Sequence, residues 1–582
     1  MNIDPIAGVE VLVGDMLLAD IEEADALPRR DCFAGLKRYL GKRAGKVMLL
    51  NGLRRTGKTV MAQQAIAELP DAVRAKTAFI KISQKRTVAN LPVFALVEDL
   101  FYEGFRTFFV DECTSMLDFP AWAKDMADGP AARGCHVVLL GTDSLSMWLA
   151  RREFLEGRYN EIRTTRIPFH EWRRLLARDG RSLSVEDYVR YGGILDFEGV
   201  PVDSALVPES RHSFRDPASI DWYVHSAIAL NIQNALARHA GGDDFGDLRS
   251  LWEDGRLTEA IARVVQDQNH RLARDRLHLR FAHGDFYEAY KAVGKLNKKA
   301  RSFVKEQKEA ILQEIEERLC LSSGGLEISK KEADLILEYL HRIDVFKDAD
   351  VLLMPSTDPK KRRRQRLYNE TVRILQTQPG IRSGQMRMAC VIIWDVLKIN
   401  RALIAKETFL HESTGAVQGQ MLEDIVFADL MDVLPEGCHI YRLEWQADPG
   451  EIAEFDCAVV DERDPLRPRV SLFEVKHADS MRGDAARHLK NPQAIAQVAE
   501  AFGTVVSRAV VYNGETDRHA VLWISADELL GYVGRDPEGC LFPQLSSRWS
   551  PLVPLEPWMA KAAVPCLDAE GGEDDPMPEQ AV

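Results

Sequence analysis

Gly52-Leu53-Arg54-Arg55-Thr56-Gly57-Lys58-Thr59 satisfies the spacing G-x-x-x-x-G-K-[ST] in full. Glycines at these positions let backbone N–H groups turn toward phosphate oxygens, and a helix starting at the lysine adds its dipole. The expected contact set is Gly52, Arg55, Thr56, Gly57, Lys58 and Thr59. Lys58 would reach the β- and γ-phosphates, and the Thr59 hydroxyl would sit on Mg²⁺. Further along, Thr107-Phe108-Phe109-Val110 ends in Asp111-Glu112. Asp111 is placed to hold Mg²⁺ largely through water, because that ion sheds its hydration reluctantly. Glu112 is placed to orient the attacking water. A third constellation lies near the other end: Glu454-Phe455-Asp456, then Glu474-Val475-Lys476, with Glu423 upstream. Residues two apart on a strand share a face, so Glu474 and Lys476 point together. If the two runs pair as a hairpin, Asp456 comes near Glu474. Asp456, Glu474 and Glu423 would then bind Mg²⁺ through hard oxygens, with Lys476 beside the attacked phosphorus.

These residues need elements to hold them. Val47-Met48-Leu49-Leu50 reads as a buried strand before the loop, and Val60, Met61, Ala65, Ile66 and Leu69 as a helix after it. Ala78–Ile82 and His136–Leu140 read as further strands, and Phe33, Leu36 and Leu40 as a leading helix. The His136 strand ends at Gly141-Thr142-Asp143-Ser144. A polar residue there would sense the γ-phosphate or cap the next helix, and Thr142 and Asp143 are both candidates. From about Ile220 to Phe346 the pattern is helical, with a capping box at Ser329-Lys330-Lys331-Glu332. Lys291, Lys295, Lys298, Lys299 and Arg301 fit a solvated helix face. Glu423 falls in a helix starting at Gly419, and Gln493 lies in another. Lys360-Lys361-Arg362-Arg363-Arg364-Gln365-Arg366 carries six cations in seven positions. It suits either a nucleic-acid backbone or a solubilising linker.

Composition narrows the class. The chain has 582 residues, 46% hydrophobic and 28% charged, with net charge −14. That length suits three or four domains, and the charge argues against a uniformly basic nucleic-acid binder. No apolar run approaches the ~20 residues of a membrane span, and the first residues lack the pattern of a secretion signal. Nine dispersed cysteines without a C-x-x-C pair argue for reduced thiols in a cytoplasm.

The phosphate loop, Leu139–Ser144, Gly157-Arg158, Ile167–Trp172 and Tyr188–Gly193, taken in order, resemble the archaeal-type AAA-like ATPases. Bacterial members of that family often carry a C-terminal restriction-endonuclease-like domain. The resemblance implies ATP and Mg²⁺ as cofactors and Arg158 as an arginine finger, against which stands a plain surface arginine. The Asp456, Glu474-x-Lys476 set with Glu423 is similar to the PD-(D/E)xK nuclease pattern, although the stretch between Asp456 and Glu474 looks long for it. The fold expected is α/β multidomain: a P-loop AAA-like ATPase domain over 1–200, and a helical lid or winged-helix middle over 201–355. A nuclease-like α/β domain over 356–545 follows, then an acidic, Pro-rich tail over 546–582. The function expected is ATP hydrolysis joined to Mg²⁺-dependent DNA binding and cleavage. The alternative is a nucleotide-gated DNA- or protein-binding switch that does not cut. No T/N-K-x-D signature for guanine is evident, so adenine is the better base. DNA is the expected partner, no membrane is expected, and a homo-oligomer or protein partner stays open.

Overall fold

The computed structural model describes residues 6–83, 88–142, 144–177, 183–195, 214, 216–232, 248–283, 313–315, 317–319, 328–354, 369–399, 406–434, 436–448, 451–480, 486–518 and 521–532. Asp143, the lysine run Lys291–Arg301, the basic cluster Lys360–Arg366 and the 546–582 tail lie outside them.

Two sheets dominate. The first contains β1 (Val9–Leu12), β2 (Val47–Asn51), β3 (Thr77–Ile82), β4 (Thr107–Asp111), β5 (His136–Gly141) and β6 (Tyr159–Arg163), in the order β1-β3-β4-β5-β2-β6. All neighbours are parallel except β1, which closes the edge antiparallel to β3. The interior strands β2 to β5 are mostly apolar runs because both faces are covered. Val47, Leu49, Phe108, Val110, Val137 and Leu139 join one core, whereas Met48, Leu50, Phe109, Val138 and Leu140 join the other. The order inserts β5 between the phosphate-loop strand β2 and the acidic strand β4. Thr142, one residue past β5, therefore stands beside Glu112 at the end of β4. The helix Phe33–Leu40 forms as its spacing predicts.

The second sheet contains β7 (Phe346–Leu353), β8 (Asn369–Gln376), β9 (Cys438–Asp448), β10 (Glu451–Asp461), β11 (Arg469–Lys476), β12 (Thr504–Tyr512), β13 (Asp517–Arg518) and β14 (Leu522–Ser525). Their order is β13-β14-β12-β11-β10-β9-β7-β8. The boundary expected at 355–356 falls between β7 and β8, two paired strands of one sheet. The long helix Lys406–Val433 carries Glu423. It begins well before the Gly419 start expected from sequence.

Between the sheets, helices Pro217–Tyr223, Leu257–His283 and Lys330–Arg342 build a core with Leu53, Ile194, Phe346 and Ile381. The capping box at Ser329 and Glu332 is present. The halves also interlock. Ile167, Phe169, Trp172, Tyr188 and Val189 share one core with helix Lys406–Val433 and with Cys457, Phe473 and Val475 of the second sheet. No helix of the described residues is long and apolar enough to cross a membrane.

Candidate functional sites

Gly52 and Gly57 turn the loop out of β2 and into helix Lys58–Ala67. Gly57 has φ +83°, and a Cβ on Gly52 would lie 2.2 Å from Thr164 Oγ1. Arg55 and Glu112 are non-glycine residues in the left-handed region, at φ 60° and 53°. Backbone strain of this kind concentrates at functional sites. Lys58 folds back over its own loop, its Nζ donating to Gly52 O and Leu53 O, each at 2.8 Å. Burial lowers the Lys58 pKa to about 8, with Glu112 and Asp111 opposing the shift.

The acidic residues gather opposite. Thr59 Oγ1 donates to Asp111 Oδ2 at 2.8 Å, the Glu112 backbone N–H donates to Asp111 Oδ1 at 2.9 Å, and Thr142 Oγ1 donates to Glu112 Oε2 at 3.1 Å. Burial, then the neighbouring Glu112, raises the Asp111 pKa to about 6. Among the sequence candidates, Gly52, Arg55, Thr56, Gly57, Lys58, Thr59, Asp111, Glu112 and Thr142 thus form one site. Asp111 and Thr59 are the hard-oxygen pair that fits Mg²⁺.

Arg158 does not join them within its own chain. It precedes Tyr159, which pairs with Val47 at the start of β2, whereas the loop leaves from Asn51. At roughly 3.3 Å per strand residue, that separates it from the loop by about a strand's length. Its partner is Asp128.

Residues 44–172 match the family described as an AAA domain. This unit is a P-loop AAA-like ATPase domain. The match covers less than half of the chain, and among curated proteins no match was found. Among solved structures, the Orc1 protein of Aeropyrum pernix in complex with DNA is similar at 15% identity and a TM-score of 0.20, over 66% of this chain and 94% of that one. That score establishes no common arrangement.

The second constellation assembles around the β10–β11 hairpin. The strands pair antiparallel, with Cys457 opposite Phe473 and Asp461 opposite Arg469. The long stretch between Asp456 and Glu474 is therefore mostly extra hairpin, which leaves the carboxylates together. Against β9 the register shifts between Phe455 and Ala458, which face Leu443 and Tyr441. This bulge sets Asp456 and Cys457 against the single Arg442 and re-aims Asp456.

Asp456 Oδ2 accepts from the Val475 backbone N–H at 2.7 Å. Lys476 Nζ lies 2.8 Å from Glu474 Oε2 and 3.6 Å from Asp456 Oδ2. Burial, then the neighbouring Glu423, raises the Asp456 pKa, and burial, then Asp456, raises that of Glu474. Glu423 comes in from its helix, and one oxygen each of Glu423, Glu454 and Asp456 lies within 4.8 Å of the others. Two atoms bear on a metal: Asp456 Oδ1 and Glu474 Oε1 are buried with no hydrogen-bond partner. Buried acceptors are nearly always satisfied, so oxygens left this way fit a cation ligated there.

Glu454 and Arg442 are absent from the set expected from sequence. The Glu454-x-Asp456 period could have pointed to the first. Arg442 gave no signal, because it enters through the β9–β10 register. Gln493 is exposed at the start of helix Pro492–Phe502, away from any role in the cluster.

The domains touch beyond the sites. Arg166, two residues past Thr164, pairs with Asp429 and Asp432 on the helix that carries Glu423. Thr164 Oγ1 is itself 2.7 Å from Thr56 Oγ1 in the phosphate loop.

Proposed function

We propose that the chain couples ATP hydrolysis to Mg²⁺-dependent binding and cleavage of DNA phosphodiesters in its C-terminal half. In the ATPase site Lys58 leaves its carbonyl partners for the phosphates. Thr59 and Asp111 hold the metal, and Glu112, steadied by Thr142, orients the attacking water. In the C-terminal site Asp456 and Glu474 hold a Mg²⁺, and Glu423, engaged by Arg442, reaches its surroundings through water. The ion supplies Lewis acidity and a more acidic water when bound. Lys476 keeps its ammonium against both carboxylates and is placed to stabilise charge at phosphorus. The observation that carries this reading is the pair of buried oxygens without a hydrogen-bond partner, Asp456 Oδ1 and Glu474 Oε1, beside Lys476. DNA is the partner that the basic run Lys360–Arg366 suits, and a role against mobile elements fits this combination by analogy.

The test compares DNA cleavage and ATP turnover in wild type, Lys58→Ala, Asp456→Ala and Lys476→Ala. Lys58→Ala is expected to lose ATP turnover. The other two should lose cleavage by a factor of about 100 or more while hydrolysing ATP normally. Wild-type nicking by either removes the nuclease assignment.

A second reading, a nucleotide-gated switch that binds DNA or protein without cutting, has one observation in its favour. Arg442 and Lys476 together contact every carboxylate of the cluster. Failure of the wild-type chain to bind any divalent ion there would favour it.

A further inference from the structure

We propose that the Arg442 guanidinium is the resident occupant of a second cation position in the carboxylate cluster, so that the C-terminal site takes one divalent ion and not two. This rests on the reading of that cluster as a Mg²⁺ site.

The cluster offers two cation positions, and the chain treats them differently. Glu423, Glu454 and Asp456 enclose the first, with one oxygen each within 4.8 Å of the others. Arg442 reaches all three: 3.1 Å to Glu423 Oε2, 2.6 Å to Glu454 Oε2 and 3.9 Å to Asp456 Oδ1, with Glu444 Oε1 at 3.3 Å from its Nε. Its side chain is only 8% exposed. Arginine does not lose its proton in a protein, so the position cannot be vacated by deprotonation. Asp456 Oδ1 and Glu474 Oε1 mark the second position, and neither has a hydrogen-bond partner. The other oxygen of each is already held, by the Val475 N–H and by Lys476.

Charge gives the same answer. Ion pairs link the carboxylates of Glu423, Asp424, Glu444, Glu454, Asp456 and Glu474 to the cations of Arg373, Arg382, Arg442 and Lys476. Six anions against four cations leave two negative charges, the complement of one divalent ion. A second ion would leave the cluster with two excess positive charges, and removing Arg442 would reduce that excess to one.

The experiment titrates Mn²⁺ into the full chain without nucleotide, counting bound ions by calorimetry and by the electron paramagnetic resonance of free Mn²⁺. Every variant carries Asp111→Asn, so that the phosphate-loop site does not enter the count. With Arg442 present, one ion is expected, and Asp456→Asn should abolish it. Arg442→Gln should bind two, Arg442→Lys one, and Arg442→Gln with Glu454→Gln one again. One ion on both the parent and Arg442→Gln overturns the assignment of Arg442 alone. No ion on the parent overturns the metal-site reading beneath it. Should Arg442→Gln not fold by circular dichroism, Glu454→Gln in the chain that keeps Arg442 decides. Affinity within about threefold of the parent is expected, since Arg442 already engages Glu454. A loss of tenfold or more shows Glu454 to be a ligand and overturns the proposal.

Discussion

Asp461 closes the extension of the β10–β11 hairpin. Its carboxylate accepts from Arg463 N at 3.2 Å, from Arg463 Nε and NH2 at 2.9 Å each, and from Arg469 at 3.0 Å. The hydrogen bonds from Arg463 hold its pKa well below the ordinary carboxylate range. A carboxyl depressed in the folded state stabilises the fold above its unfolded pKa, about 3.9, and loses that contribution as the pH falls toward the folded value. Asp461→Asn should therefore cost about 1–2 kcal/mol at pH 7, the range for hydrogen bonds to a charged group whose arginine partners are partly exposed. The difference in Tm from wild type should shrink steadily below pH 4. Thermal unfolding at pH 7 and pH 3 checks this; a constant difference would mean that the carboxylate charge contributes nothing.

Among the elements, the end of β5 is tightly built into the ATPase site. A Cβ on Gly141 would lie 2.5 Å from Thr114 Cγ2 and 2.9 Å from the Met147 methyl. Gly141→Ala must push this strand end away from the turn Cys113–Ser115, separating Thr142 from Glu112. The phosphate loop hangs from β2 and is not moved. ATP turnover should fall at least about tenfold while binding of a fluorescent ATP analogue stays near wild type. Loss of both together would place the damage in the loop. The legibility of the site follows the same division between local and distant. The phosphate loop, the acidic end of β4 and the Glu474-x-Lys476 period are encoded within a few residues, and all were readable. Arg442 meets Asp456 through a bulged register with a separate strand, which no local spacing records. Arg158 sits in a motif whose order was right, yet strand direction carries it to the far end of the sheet. β7 alternates but follows directly on a capped helix, so it reads as the end of the helical middle.

At the scale of the whole molecule, the contact between Arg166 and helix Lys406–Val433 links the two sites. Thr164 touches the phosphate loop, Arg166 grips Asp429 and Asp432, and Glu423 lies farther up the same helix. A shift of the loop on nucleotide binding would thus reach the carboxylate cluster through packed, hydrogen-bonded parts. Removing Arg166 alone would leave Asp429 buried without its counter-charge, at about 3–5 kcal/mol. The pair Arg166→Gln with Asp429→Asn keeps hydrogen-bonding groups and removes both charges. This double variant should hydrolyse ATP as wild type does, while its DNA cleavage no longer changes between nucleotide-free and ATP-loaded conditions. Cleavage that still responds to ATP would route the signal elsewhere.

The shared core has a consequence for how such a chain is inherited. Ile167, Phe169, Trp172 and Tyr188 belong to the sequence of the first half but lie in the core of the second. Recombination that replaced either half with a foreign counterpart would strip an oily face bare on both sides of the crossover. Descent should accordingly keep the two halves together, each tuned to its own partner, and viable chimaeras should have their joins before residue 164, so that the 164–195 segment travels with the second half.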